Sequence, residues 1–169
     1  MQKIRIGREL DKLHVEKIKT QLQKANGAGE GEVLFEISNR GGDHDAVFDL
    51  IEFLEREGFQ TSCIVNRTAS AASLLAISCK KRSIRKQGKM FLHAVHLTIP
   101  VTLISETGTL PRSTVQNSAY RQRQVEFLIK KKTRIPVSDI ARIMVPGETG
   151  RFNAEEAKAW GLVDEILEY

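Results

Sequence analysis

The chain has 169 residues, of which 41% are hydrophobic and 28% charged, with a formal net charge of +5 and a pI near 9.3. These are the values of a single globular domain with room for a substantial core. No apolar run approaches the roughly 20 residues of a membrane span, and no apolar stretch follows the basic residues of "MQKIRIGREL", so neither a span nor a secretory leader is expected.

In chain order, a short "KIRI" strand precedes an apolar stripe of Leu10, Leu13, Ile18 and Leu22, which predicts a helix ending near Ala25. The glycines of "NGAGEGE" break it, and "VLFEIS" (33–38) reads as a strand running into the turn "NRGGDHD". Val47, Leu50, Ile51 and Leu54 recur at helical spacing, with Asp43 or Asp45 as the cap. "TSCIV" (61–65) predicts a second buried strand, "TASAASLLAIS" (68–78) a second helix, and "KMFLH" (89–93) a third strand. From His96 to about Asn117 the chain is polar and irregular, with β-branched patches such as "TIPVTLI". Helices are then expected over about 118–132 and after Pro136, through Ile140 and Met144. Finally, "NAEEAKAWGLVDEI" predicts a short helix and strand, with an Asn153/Glu156 capping box and a stop at Gly161. Strands alternating with helices over short connections imply an α/β fold with a largely parallel sheet covered by helices, in one domain spanning 1–169.

Several residues are read as structural. Cys63 and Cys79 sit in apolar segments without metal-ligand spacing, as reduced core thiols of a cytoplasmic protein. Trp160 and Phe152 fall at core-like spacing. The basic clusters "KKRSIRKQGK" (80–89) and "KKKTR" (130–134) have no nucleic-acid motif and no interleaved aromatics, so they read as solvated basic faces. His93 and His96 lie three residues apart, but no Cys, Asp or Glu completes a metal set. No metal or other cofactor is expected.

In open α/β sheets, sites form where strand carboxyl ends meet helix N-termini. Three strand ends carry suggestive residues. Ser70, five residues beyond Val65, is either an N-cap or a nucleophile at a helix start, where free N–H groups and the helix dipole stabilise an oxyanion. Ser73 falls one helical turn deeper and is expected to be buried. The Gly41–Gly42 pair is either a turn needing positive φ or half of an oxyanion hole. His93, at the third strand end, is either structural or a general base. His44 follows the glycines at the presumed site mouth, as a loop residue or a weak substrate contact.

The order "EISNRGGD", "VNRTASAASLLAIS", "KMFLHA", "RFNAEEAKAWGLVDEI" resembles the ClpP-like serine peptidases from about Val33 to Ile166, and "ASAAS" resembles most closely their phage and mobile-element members. The resemblance implies a ClpP/crotonase-like spiral of βαβ units, with a handle over about 94–132. It implies Ser70 as nucleophile, His93 as general base, the N–H groups of Gly42 and Ala71 as oxyanion donors, and Gly41 shaping the turn. It also implies peptide or unfolded-protein substrates and a homo-oligomeric ring. Thr149, or Gly150 after a one-residue slip, stands where the family has the triad aspartate, and Glu148 is the nearest carboxylate. Three readings follow: Glu148 as third member, a dyad or an acid from elsewhere, or a non-catalytic scaffold. Arg40 replaces the usual proline before the glycines. The section before Val33 is shorter than is typical, leaving an ATPase partner open. The handle lacks the glycine-rich pattern, leaving ring pairing open.

Overall fold

The computed structural model describes residues 1–27, 31–96 and 109–169. Strands β1 (Gln2–Ile6), β2 (Glu32–Asn39), β3 (Gln60–Ala69) and β4 (Lys81–His93) run parallel and neighbour one another in chain order. Helices α1 (Lys12–Gly27), α2 (His44–Arg56) and α3 (Ser70–Ser78) connect them. Crossovers of one hand between adjacent strands keep their helices on one side of a sheet, and the burial pattern reflects this. Ile4 and Ile6, then Val33, Phe35 and Ile37, then Cys63 and Val65 are buried. The alternate positions Lys3, Arg5 and Glu36 carry surface ion pairs on the other face.

Helix α3 is the centre of the layer. It is apolar all round, and Ala71 through Ile77 are buried, as a helix walled on every side must be. Its serines divide by depth. Ser73 is fully buried and donates to the Phe91 carbonyl at 2.9 Å, Ser78 donates to Leu75 O at 2.7 Å, and Ser70 opens the helix, half-buried. Both cysteines are buried and free. The neighbouring Cys63 thiol, and then burial, push the Cys79 thiol well above its ordinary range.

Besides β3, which runs on to Ala69 rather than ending at Val65, and the early start of α4, two features depart from expectation. β4 is 13 residues long rather than five, because its first half absorbs the basic cluster. Lys80, Lys81, Lys86 and Lys89 stay exposed as a solvated basic face, but Arg82 turns inward as an anchor. Arg82, 15% exposed, donates to Asp164 Oδ1 at 2.6 Å and to the carbonyls of Lys132 and Gly161 at 2.9 and 3.0 Å. It thereby ties β6 (Glu165–Leu167) and the end of α4 (Arg112–Lys132) to the sheet. The second departure is β5 (Thr149–Phe152), which no periodicity announced and which pairs antiparallel with the last residues of β4. The sheet is therefore mixed. α4 begins six residues earlier than its apolar stripe suggested, at Arg112. α5 (Val137–Ile143) and α6 (Ala154–Ala159) fall where expected, with the Asn153/Glu156 capping box formed and Gly161 at φ 71°. The "TIPVTLI" patch lies outside the described residues.

Arg82 makes a stability prediction. Arg82→Met should cost about 2–3 kcal/mol, because three acceptors lose a charged donor, and should lower the melting temperature by roughly 5–10 °C. Asp164→Asn should cost about 1 kcal/mol or less, since the carboxylate is 47% exposed. Burial raises the Asp164 pKa, but the Arg82 hydrogen bonds outweigh it and hold the group below its ordinary value. Its contribution is present above the unfolded-state pKa and is lost as pH falls through the lower folded one. Thermal melts of wild type and Asp164→Asn should therefore differ at neutral pH and converge in strong acid.

Candidate active site

The carboxyl ends of β2, β3 and β4 converge beside α3. The β2 end is set by Asn39, which is buried. Its Oδ1 accepts the Gly41 N–H at 2.6 Å and its Nδ2 donates to the Arg8 carbonyl. The following turn locks onto the β1–α1 connection: Leu10 N–H donates to Gly41 O at 3.1 Å, and Asp43 N–H donates to Leu10 O at 3.0 Å. The Leu10–Gly42 bridge uses these groups and leaves the Gly42 N–H outside it. Gly41 and Gly42 sit at φ 123° and 153°, where L side chains are strained. A Cβ on Gly42 would lie 2.5 Å from Leu10 O, and one on Gly41 would lie 2.7 Å from Ser70 Cβ. The glycine pair is thus both a positive-φ turn and a close approach to Ser70.

Ser70 is the one non-glycine residue with positive φ among the described residues, at 53°. Strain of this kind is held in place by its surroundings and clusters at functional positions. The turn swings the chain from β3 into α3 and leaves the Ser70 side chain at the junction, as in strand-to-helix nucleophile elbows. Ala69, the N-cap residue, makes no side-chain cap bond, so the first-turn N–H groups next to Ser70, including that of Ala71, receive no cap.

His93 ends β4, half-buried. Its Nδ1 is 2.6 Å from the Ala94 carbonyl. A carbonyl only accepts, so Nδ1 carries the proton, and Nε2 of the neutral ring keeps its lone pair. His96 stacks on the ring, with centroids 4.5 Å apart. The chain beyond is held by α4, where Gln122 Oε1 accepts the Val95 N–H at 2.9 Å. α4 is held in turn by Arg121, which makes a two-armed ion pair to Asp45 in the first turn of α2. Asp43 caps that helix. His44, just inside it, has its pKa lowered by burial first and by His93 second, against the pull of Asp43 and Asp45. It lines a cleft of about 370 Å³ with His96 and Arg121.

Thr149 pairs directly with His93 across β4 and β5, so the two residues occupy one register position at the sheet end. Glu148 precedes it, exposed, with its N–H donated to Val145 O at 3.0 Å. Its side chain borders a cleft beneath β5 lined by Arg142, Phe152 and Trp160. Among the described residues no hydrogen bond joins Glu148 to His93, and no group of three or more His, Cys, Asp or Glu could hold a metal. No described helix is long and apolar enough to cross a membrane. The Ala94 carbonyl, the Asn39 clamp and the Arg121–Asp45 pair lay beyond sequence reasoning, because each depends on register or on side-chain direction. Only Asn39, a polar residue closing an apolar strand, left a signal.

The Gly42 contact is directly testable. Gly42→Ala should destabilise the fold by about 1–3 kcal/mol, since it both strains the backbone and drives into Leu10. Gly41→Ala, whose nearest neighbour is Ser70, should cost less in chemical denaturation while displacing the serine.

Comparison with known proteins bears on the whole chain. The Clp protease family profile matches residues 1–169. The ATP-dependent Clp protease proteolytic subunit 1 of Thermobifida fusca (strain YX) is 30% identical over 126 residues, 73% of this chain and 53% of that protein. The chain thus spans about half the length of the curated relative it matches. With a profile match from end to end and a mixed sheet flanked by helices, the chain belongs to the Clp protease family.

Proposed function

We propose that the chain is a Clp-type serine endopeptidase, cleaving peptide bonds through an acyl-enzyme on Ser70 with His93 as general base. One observation carries this reading: a strained serine at the start of α3 touches a glycine turn, while a neighbouring strand ends in a histidine whose Nδ1 is held by the Ala94 carbonyl, which assigns the free lone pair to Nε2. Nε2 takes the Oγ proton as Oγ attacks the substrate carbonyl carbon. The N–H groups of Gly42 and Ala71 receive the developing oxyanion, with Gly41 shaping the turn. The imidazolium returns its proton to the leaving amine, and the ester is hydrolysed by a water that gives its proton to His93. No cofactor enters. His44, at the cleft mouth, is a minor substrate contact.

The third member is where this chain is unusual. The Ala94 carbonyl orients His93 but brings no negative charge to balance the imidazolium. Glu148 is the carboxylate we assign to that task, reaching it by a shift of the 145–148 turn. The full reading is one crotonase-like spiral domain in a cytoplasmic homo-oligomeric ring, of the phage or mobile-element type, acting on peptides or unfolded chains. Val115, Tyr120 and Phe127, exposed on α4, support assembly through the handle. The relative's name includes ATP dependence. A second reading, an inactive Clp-like scaffold, is favoured by Thr149 opposite His93, where a carboxylate would complete a triad.

Intact-mass analysis after a fluorophosphonate probe separates the two. Wild type should label at one site, and labelling should vanish with Ser70→Ala and fall at least 100-fold in rate with His93→Ala. A slower rate with Glu148→Gln supports Glu148, and an unchanged rate assigns orientation to Ala94 alone. No labelling of folded, assembled protein would establish the scaffold.

A further inference from the structure

The sheet face that bears His93 is unusually basic. Pairing fixes which side chains share it. Arg67 on β3 is opposite Ser38 on β2 and Lys89 on β4. Two residues on, Ala69 is opposite Phe91, and Phe91 is opposite Arg151 on β5. His93, opposite Thr149, is the next position on the same face of β4. Arg67, Lys89 and Arg151 therefore surround Phe91, which is half-buried, one strand step from His93. The Arg67 guanidinium lies over the Phe91 ring, 5.5 Å from its centroid.

The cations continue into the cleft beside Ser70. That cleft, about 570 Å³, is lined by Ser38, Asn39, Arg40, Gly41, Gly42 and Arg67, with Gly7 and a single carboxylate, Glu9, at its β1 side. Arg40, Arg67, Lys89 and Arg151 are all exposed, and among the described residues none makes an ion pair with a protein carboxylate. Some of the molecule's other cations, Lys3, Arg5, Lys19, Lys86 and Arg121 among them, are paired with an acid. Arg40 and Arg67 line this cleft, and Lys89 lies on the adjoining face beside Arg67, so positive potential is focused there.

We infer that the cleft selects acidic peptides: an extended segment carrying Asp or Glu beside an apolar residue, its backbone along the Gly41–Gly42 turn, its carboxylates on Arg40 and Arg67, and its apolar side chain against Phe91. This rests on the proposed peptidase reading and names its substrate class. A peptide rather than a nucleic acid is the occupant because Phe91 is a lone ring, where successive bases would need a run of aromatic faces.

The test uses the assembled Ser70→Ala protein, so that binding is read without turnover. Capped ten-residue peptides, identical except for two Asp, two Asn or two Lys flanking a central Leu, compete against one fluorescent reference peptide. The Asp peptide should bind about tenfold or more tighter than the Lys peptide at low salt, and the gap should shrink with added salt. Arg40→Glu/Arg67→Glu, checked for folding by thermal melting, should reverse the order. Equal binding of the three peptides, or an order unchanged by the double reversal, overturns the inference. So does a single-stranded DNA oligonucleotide that outcompetes the Asp peptide and is released by the same reversal. Fluorophosphonate labelling of wild type runs alongside: labelling with no charge preference overturns only the substrate class, whereas absence of both labelling and peptide binding overturns the peptidase reading as well.

Discussion

The candidate site depends on one backbone contact, the bridge between Leu10 and Gly42. It ties the connection after β1 to the turn after β2, and so fixes how far that turn projects over the end of β3. Space for a side chain is absent on both sides: Leu10 closes over Gly42, and Ser70 closes over Gly41. The Asn39 side chain takes the Gly41 N–H, which would otherwise be buried without a partner. With the turn held this way, the Gly42 amide is free of the bridge and the helix start at Ser70 lies against the glycines. The positive φ of Ser70 belongs to the same construction, because a relaxed residue there would take β3 into α3 along a different path.

A second constraint runs outward from His93. His93 closes β4, and the Ala94 carbonyl holds its Nδ1. That geometry sets tautomer and ring direction, which are two of the services of a triad carboxylate. The third service, balancing positive charge, has no partner within hydrogen-bonding reach among the described residues. Thr149 fills the register position across from His93, with a hydroxyl that carries no charge. The chain thus separates orientation from charge compensation, which the Ser-His-Asp arrangement assigns to one residue. Arg67, Lys89 and Arg151, which share the face of His93, supply no negative charge there either.

How much of this could be read from the sequence depends on which elements declare themselves locally. The ends of β2 and β4 and the start of α3 were legible because Asn39-Arg40-Gly41-Gly42, the His93 boundary and the small residues around Ser70 each mark a change of chain direction, whereas β3 runs four residues past the expected Val65, to Ala69. The capping box at Asn153 and the stop at Gly161 were legible for the same reason. β5 was not. Its four residues, Thr149-Gly150-Arg151-Phe152, are too few and too mixed to show alternation, and they form a strand only because β4 offers an open edge. The first half of β4 was hidden by its charges, since Arg82 reads as a surface residue until Asp164, Lys132 and Gly161 surround it. The resemblance to the Clp proteases singled out Ser70, His93 and the glycine turn together as candidates, where each residue alone stayed ambiguous. The basic face around Phe91 required strand register, which no local pattern encodes.

The most direct test of the account is the tautomer of His93, read from the 15N shifts of its ring nitrogens at a pH where the ring is neutral. The account predicts a proton on Nδ1, held by the Ala94 carbonyl, and an unprotonated Nε2 able to take the Ser70 proton. A ring protonated on Nε2 would have no lone pair to offer the serine and would contradict the assignment of His93 as its base.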